Sequence, residues 1–124
     1  MTPLEELIEV MARLRAPGGC PWDREQTHET LIPYLVEETY EAVEAIERKD
    51  FDELKKELGD VLLQVIFHAR LAEEAGRWNI HDVAAATVAK LKHRHPHVFG
   101  NVSADTPEKV LANWEQIKQK EREG

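Results

Sequence analysis

Four acidic residues stand where helical periodicity places apolar side chains. Glu38 and Glu41 are three residues apart in one predicted helix, and Glu57 and Asp60 repeat that spacing in the next. At about 100° per residue, Glu38 falls in the middle of an apolar stripe, and Glu57 and Asp60 share a narrow line on an otherwise apolar helix. A carboxylate in such a setting needs a counter-charge or takes up a proton. The pattern therefore predicts a bound cation.

A short connection joins these two helices, which predicts that they pack side by side in opposite directions. The two acidic pairs lie at matching distances from the turn at Lys49-Asp50, so they reach similar heights and form one oxygen-rich cluster. Carboxylates without imidazole or thiolate suit hard divalent ions, Mg²⁺ first and Mn²⁺ second. One Glu-x-x-Glu pair is common by chance on a solvated helix face, but two pairs on apolar faces favour a metal site.

The elements that must position the cluster are helices, because no segment alternates at period two for long enough to be a strand. We predict an all-α fold, a helical bundle of about five helices whose central antiparallel pair carries the acidic cluster. Residues 16–23, rich in Pro and Gly, are predicted to be an ordered loop. The predicted helices begin at the Thr2–Glu5 capping box, near residues 27–30, after Asp50, after Asn79 and at Thr106-Pro107; the second ends at about Arg48, the third at Gly76 and the fourth before Pro96.

Length, charge and cysteine content limit the classes of protein that remain. The chain has 124 residues, and we expect residues 1–124 to form a single domain. The formal net charge of −8 argues against nucleic-acid and anionic-lipid partners, which favour basic surfaces. Cys20 is the single cysteine and cannot form an internal disulfide, and the first residues lack a secretory-signal pattern. We therefore expect a cytoplasmic protein without a membrane partner.

The stretch from Val61 to Phe67 is apolar around nearly the whole helix circumference and is too short to span a bilayer. A small bundle cannot cover such a helix on every side. Because a second subunit would cover it, we expect a homodimer or a dimer of dimers.

The acidic residues also form a recognisable motif. Glu37-Glu38-x-x-Glu41, a spacer and Glu57-x-x-Asp60 resemble the motif of the MazG-type nucleoside triphosphate pyrophosphohydrolases. The resemblance covers nearly the whole chain and implies an all-α, homo-oligomeric enzyme. Such an enzyme uses Mg²⁺ to convert a nucleoside triphosphate and water to a nucleoside monophosphate and pyrophosphate, with nucleotide-pool housekeeping as the expected role. The similar segments also include Gly19-Cys20-Pro21-Trp22-Asp23, Glu57-Leu58-Gly59-Asp60, Arg94-His95-Pro96-His97-Val98-Phe99 and Asn113-Trp114-Glu115.

The resemblance also implies a role for individual positions. Glu37 is similar to the additional acid of the motif, which orients or deprotonates the attacking water. Longer members of the family carry two copies of the domain, and this sequence is most similar to the first copy. The resemblance implies that the metal ligands are Glu38, Glu41, Glu57 and Asp60, that Lys90 and Arg94 contact the triphosphate, and that Trp114 and Lys118 close over the nucleotide.

Some of these residues have a structural explanation as well. Cations near a helix C-terminus complement the macrodipole, but Lys90 and Arg94 lie one turn apart and converge on one face, which favours phosphate contact. Trp22 lies in a Pro/Gly-rich loop, where a large aromatic side chain either packs or stacks on a base, and we predict nucleotide contact. His68 continues the inward polar line and is predicted to support the acidic residues or to hydrogen-bond in the core. Cys20 is given no catalytic role.

Other classes of protein fit the sequence less well. The Gly-rich Lys-Ser/Thr motif of a P-loop NTPase is missing, and a zinc site of His93, His95 and His97 has neither thiols nor a shared helix face. A di-iron carboxylate protein would use Glu-x-x-His in place of the present acidic pairs. The remaining alternative is a non-catalytic, metal-stabilised helical interaction module, against which the Lys90/Arg94 pair and the Trp22 loop argue.

Overall fold

The computed structural model describes residues 1–123, and among them it contains seven helices and no strand. The predicted all-α fold is confirmed, and the five predicted helices are the five long ones. No helix in this part of the chain is both long and apolar enough to cross a membrane. The helices are α1 (Pro3–Arg15), α2 (Pro21–Glu25), α3 (Ile32–Glu47), α4 (Phe51–Glu74), α5 (Ile80–Arg94), α6 (Pro96–Phe99) and α7 (Pro107–Glu123).

The chain divides into two compact units, of which the first is Met1–Ile80 and the second begins at His81. In the first unit α3 packs along α4, and α1 packs on both α4 and α2. Met11, Leu31, Ile66 and Phe67 form its buried core. The second unit contains α6, α7 and nearly all of α5. One domain over residues 1–124 stays a prediction.

Local sequence explains where the long helices begin. At α1, the Glu5 amide donates to Thr2 Oγ1 at 3.2 Å and the Thr2 amide donates to Glu5 Oε1 at 3.4 Å, which completes the predicted capping box. At α4, the Glu53 amide donates to Asp50 Oδ1 at 3.1 Å. These caps satisfy amides that have no partner within the helix.

The α3–α4 connection is a three-residue hairpin that sets the register of the two helices. Lys49 adopts a left-handed conformation with φ of 56°. The Asp50 amide donates to the Ala45 carbonyl at 3.0 Å, as in a Schellman turn. The turn at the end of α4 has the same form, but glycine, Gly76, occupies its left-handed position with φ of 72°.

The segment between α1 and α3 differs from the predicted loop. It contains the short helix α2, and α3 begins later than residues 27–30 because Thr27 and Thr30 form their own turn, in which the Thr27 amide donates to Thr30 Oγ1 at 2.8 Å. The chain folds back closely after α1, and a Cβ at Gly19 would collide with the carbonyl oxygens of Arg13 and Leu14. A similar difference follows α5, where residues 96–99 form the short helix α6.

Arg15 fixes this segment to α4. Its side chain is only 9% exposed and forms a two-point ion pair with Glu74, with both N–O distances at 2.9 Å. The same guanidinium donates to the carbonyl of Asp23 and, at 3.4 Å, to that of Gln26. Its carbon lies 5.9 Å from the centroid of the Phe67 ring. One buried cation therefore ties together α1, α2, the loop that follows and α4.

The two Schellman turns allow a matched test of the hairpin. We expect Lys49→Gly to raise the free energy of unfolding by about 0.5–1 kcal/mol, because glycine removes the cost of the left-handed conformation but adds entropy to the unfolded chain. Gly76→Ala should lower it by about 1 kcal/mol, because alanine takes on that cost. Urea unfolding followed by far-UV circular dichroism measures both. A less stable Lys49→Gly variant would contradict the expectation.

Removal of the Arg15 guanidinium should destabilise the first unit. We expect Arg15→Met to lower the free energy of unfolding by about 2 kcal/mol at neutral pH, because it removes the buried donor to Glu74 and to the carbonyls of Asp23 and Gln26. Arg70 is the matched control, since it pairs with the same Glu74 at 3.2 Å from a more exposed position. Arg70→Met should cost about 0.5 kcal/mol or less. Equal losses for the two variants would show that burial of Arg15 adds nothing.

The Arg15 effect should also depend on pH. The hydrogen bond from Arg15 is the main reason that the pKa of Glu74 lies below its ordinary value of 4.5. A carboxyl with a lowered pKa in the folded state contributes stability that is present above pH 4.5 and is lost as the pH falls through the folded pKa. The difference in unfolding free energy between wild type and Arg15→Met should therefore shrink below about pH 4.5. Urea titrations across acidic pH test this, and a constant difference would contradict it.

Candidate metal centre

Three half-buried carboxylates meet between α3 and α4. Glu38, Glu41 and Glu57 each offer one oxygen, and these three atoms lie within 4.8 Å of one another. Glu38 and Glu41 share one face of α3 because they are three residues apart. The α3–α4 hairpin brings Glu57 opposite them. Within residues 1–123, this is the one group of three acidic, histidine or cysteine side chains close enough to share an ion.

Asp60 lies at the edge of this group. It is exposed and outside the closest three, but it acts on Glu38. Burial is the main cause of the raised pKa of Glu38, followed by the negative charges of Asp60, Glu41 and Glu37. Three of the other four predicted acids thus act on the carboxyl of Glu38.

Glu53 joins the cluster, although sequence reasoning did not select it. A hydrogen bond with Glu53 is the largest cause that raises the pKa of Glu57 to about 7, followed by burial and by Glu41. Two carboxyl groups can share such a bond only when one of them holds a proton. The signal in the sequence was the spacing, because Glu53 precedes Glu57 by one helical turn on the same line of α4.

Two carboxylate oxygens in the cluster are buried without a hydrogen-bond partner among residues 1–123, namely Glu38 Oε2 and Glu57 Oε2. Buried acceptors normally have a donor or a cation beside them. The neighbouring side chains are acidic and raise the negative charge further. The donor set consists of carboxylate oxygens alone, so these residues fit a hard divalent cation.

Glu37 lies beside the cluster on the outer side of α3. It is exposed and, with Glu41, borders an open depression of about 600 Å³. The walls of the depression also include Pro33, Val36, Tyr40 and Glu44. The position gives Glu37 access to solvent beside Glu41.

Trp22 lies on α2 and contacts the start of α3. Its indole meets the Tyr34 ring at 5.6 Å between centroids with an interplanar angle of 87°. The Trp22 carbonyl accepts a hydrogen bond from Gln26 Nε2 at 2.8 Å. The Trp22 ring therefore packs against Tyr34 and is also partly exposed to solvent. This geometry allows both predicted roles, packing and stacking on a base.

His68 is half-buried and hydrogen-bonds to another histidine, in keeping with the second of the two roles predicted for it. Its Nδ1 lies 2.8 Å from Nδ1 of His28, and the two rings stack with centroids 5.0 Å apart. Burial, and to a smaller extent the charge of His28, lowers the pKa of His68. The sequence did not identify His28, because residues far apart in the chain reveal no shared contact by spacing.

The other predicted contacts lie in the second unit. Arg94 pairs with Glu121 at 3.2 Å, and this bond is the main cause that lowers the pKa of Glu121. The indole N–H of Trp114 donates to the Arg94 carbonyl at 2.7 Å, and its ring meets His95 edge to face at 5.3 Å. Lys90 is exposed and Lys118 is half-buried.

Residues 26–99 match the model of the MazG nucleotide pyrophosphohydrolase domain. The chain is 54% identical over 123 residues to a nucleoside triphosphate pyrophosphohydrolase of Escherichia coli K12, covering 98% of this chain and 47% of that protein. It is also 54% identical over 118 residues to a nucleoside triphosphate pyrophosphohydrolase/pyrophosphatase MazG of Thermotoga maritima, covering 95% of this chain and 45% of that protein. The chain thus spans about half the length of these curated relatives.

A solved structure shares the fold. The crystal structure of a mazG-related protein from Thermotoga maritima superimposes with a TM-score of 0.77 at 29% identity and covers 93% of this chain and 98% of that one. The family match includes the whole of α3 and α4, and therefore the three clustered carboxylates. The chain belongs to the MazG nucleotide pyrophosphohydrolase domain family.

Proposed function

We propose that this protein hydrolyses nucleoside triphosphates to a nucleoside monophosphate and pyrophosphate, with Mg²⁺ as the cofactor and Mn²⁺ as a substitute. The observation that carries the proposal is the group of Glu38, Glu41 and Glu57, in which Glu38 Oε2 and Glu57 Oε2 are buried without a partner in the described chain. Family membership supports the reaction, and the names of the longer relatives state the same activity for those proteins.

The acidic residues divide between two roles in this proposal. Glu38, Glu41 and Glu57 would hold the cation, with Asp60 as the fourth ligand. A bound divalent cation would neutralise charge on the phosphate oxygens and make the phosphorus more electrophilic. The pKa of Glu38 is raised mainly by burial and that of Glu57 mainly by its hydrogen bond with Glu53, with a further contribution from neighbouring negative charges. These shifts support the assignments, because a cation would offset that negative charge.

Glu37 is the proposed general base. It would accept a proton from water as the water oxygen bonds to the α-phosphorus. The bond between that phosphorus and the oxygen that bridges to the β-phosphate breaks, and pyrophosphate leaves. The exposure of Glu37 beside Glu41 supports this role, since a base must reach a solvent water near the phosphate.

The remaining contacts complete the proposal. Trp22 would contact the nucleotide from the first unit. In the second unit, Lys90 and Arg94 would offset phosphate charge, and Trp114 and Lys118 would close over the nucleotide. Arg94 Nη2 bonds to Glu121, and the other N–H groups of the guanidinium would be the donors to phosphate oxygens.

The proposal also includes the cellular role and the assembly. Housekeeping of the nucleotide pool in the cytoplasm is the proposed role, and the lone Cys20 is compatible with a reducing compartment. A homodimer or dimer of dimers is supported by α4, because Leu58, Leu62 and Val65 are 51%, 39% and 38% exposed on a helix whose other side is buried. Exposed apolar patches of this kind mark contacts with another protein surface.

The activity is tested with a panel of nucleoside triphosphates and Mg²⁺, followed by separation of the products. We expect monophosphate and pyrophosphate from wild type and no turnover by Glu38→Gln, because loss of one ligand charge weakens the cation site. Glu47→Gln is the matched control, since Glu47 is exposed near the end of the same helix. It should keep wild-type turnover.

Cation binding by the same variants separates catalysis from metal affinity. The Mn²⁺ dissociation constant, measured by electron paramagnetic resonance, should rise about tenfold or more in Glu38→Gln and Glu57→Gln but not in Glu47→Gln. Release of a nucleoside diphosphate and inorganic phosphate would contradict the proposed reaction. Mn²⁺ binding without turnover of any nucleoside triphosphate would instead favour a metal-stabilised interaction module.

The assembly is tested by sedimentation at micromolar concentration. We expect wild type to be at least a dimer and Leu62→Arg to shift towards the monomer, because a charge would be buried in the proposed contact. Lys55→Arg, an exposed and charge-preserving change on the same helix, serves as the control. A monomeric wild-type protein would disprove the proposed assembly.

A further inference from the structure

Trp22 and Tyr34 form an aromatic pair that is only partly covered. Their rings meet at 87°, and the residues remain 47% and 39% exposed. In an edge-to-face contact, one ring covers at most one face of the other. At least one face of the indole is therefore not covered by the Tyr34 ring.

This pair lies close to the carboxylate cluster. Tyr34 precedes Glu38 by four residues on α3, so their Cβ atoms are about 6 Å apart on the same side of the helix. In a nucleoside triphosphate, the ribose separates the base from the α-phosphate. An aromatic side chain that stacks on the base must therefore lie beside the cation site and not over it. Tyr34, one helical turn before Glu38, lies at such a position.

The segment that carries Trp22 is held in place before any ligand binds. Gln26 Nε2 donates to the Trp22 carbonyl at 2.8 Å, and Arg15 donates to the carbonyls of Asp23 and Gln26. Further along, the hydrogen bond between His28 and His68 attaches the segment to α4. A fixed aromatic ring loses little entropy when it stacks on a ligand.

We propose that Tyr34 is a substrate-binding residue that, with Trp22, forms an aromatic corner for the nucleobase of the substrate. Tyr34 sets the angle of the indole and adds a second apolar surface at the side of the base. Stacking of this kind accepts any base, because every base has a π-face. The inference rests on the function proposed above.

Tyr34→Leu tests the corner by removing the ring, and Tyr34→Phe keeps it. With ATP as the probe, we expect Tyr34→Leu to raise KM about tenfold with kcat within about twofold of wild type. Inorganic tripolyphosphate carries the phosphates without a base, so its inhibition constant should not change. Tyr34→Phe should restore the wild-type KM. Phe51→Leu, which removes an exposed ring elsewhere in the first unit, should have no effect.

The outcomes distinguish this inference from the function on which it rests. An unchanged KM in Tyr34→Leu overturns it, as does a parallel rise in the tripolyphosphate inhibition constant, which would show an effect on the phosphate site. If wild type hydrolyses no nucleoside triphosphate, the proposed function fails, and equilibrium binding of α,β-methylene-ATP then decides about Tyr34. Weaker binding of this analogue by Tyr34→Leu, with unchanged tripolyphosphate binding, supports the corner; equal weakening of both ligands, or of neither, overturns it.

Discussion

Repulsion between half-buried carboxylates of like charge is the constraint on which the rest of the structure depends. One oxygen of each of Glu38, Glu41 and Glu57 lies within 4.8 Å of the other two. Burial and then the neighbouring negative charges raise the pKa of Glu38, and a hydrogen bond with Glu53, burial and Glu41 raise that of Glu57. Such an arrangement opposes folding unless other contacts offset it. The α3–α4 packing and the Schellman turn between them supply those contacts, so the scaffold stores an unfavourable charge cluster that a cation can relieve.

The segment between α1 and α3 is held in place largely by polar contacts with its neighbours. Leu31, at its end, is buried in the core, and polar contacts with Arg15 and His68 hold the rest of the segment in place. Such attachments fix the backbone while leaving the Trp22 ring open. A loop whose backbone is fixed holds an aromatic side chain in a more defined position than a mobile loop does. The hydrogen bonds from the buried Arg15 to the carbonyls of Asp23 and Gln26 contribute to this fixed backbone.

The two sides of α4 show how one helix serves both the fold and the proposed assembly. Ile66 and Phe67 are buried in the core of the first unit, whereas Leu62 and Val65 stay more than one-third exposed. The apolar character around this helix therefore exceeds what one chain can bury. A second protein surface against it would remove that apolar area from water, which is the main source of favourable free energy in association.

The sequence alone determined the helical class, the five long helices, the capping residues and the pairing of acids on α3 and α4, because these depend on periodicity and on contacts between near neighbours. The two short helices α2 and α6 were not predicted, since Pro and Gly obscure such brief elements. Tertiary structure decided the rest. It joined His28 to His68 and buried Arg15 against Glu74. These contacts join residues far apart in the chain and depend on how whole helices pack, so the spacing of residues along the sequence does not reveal them.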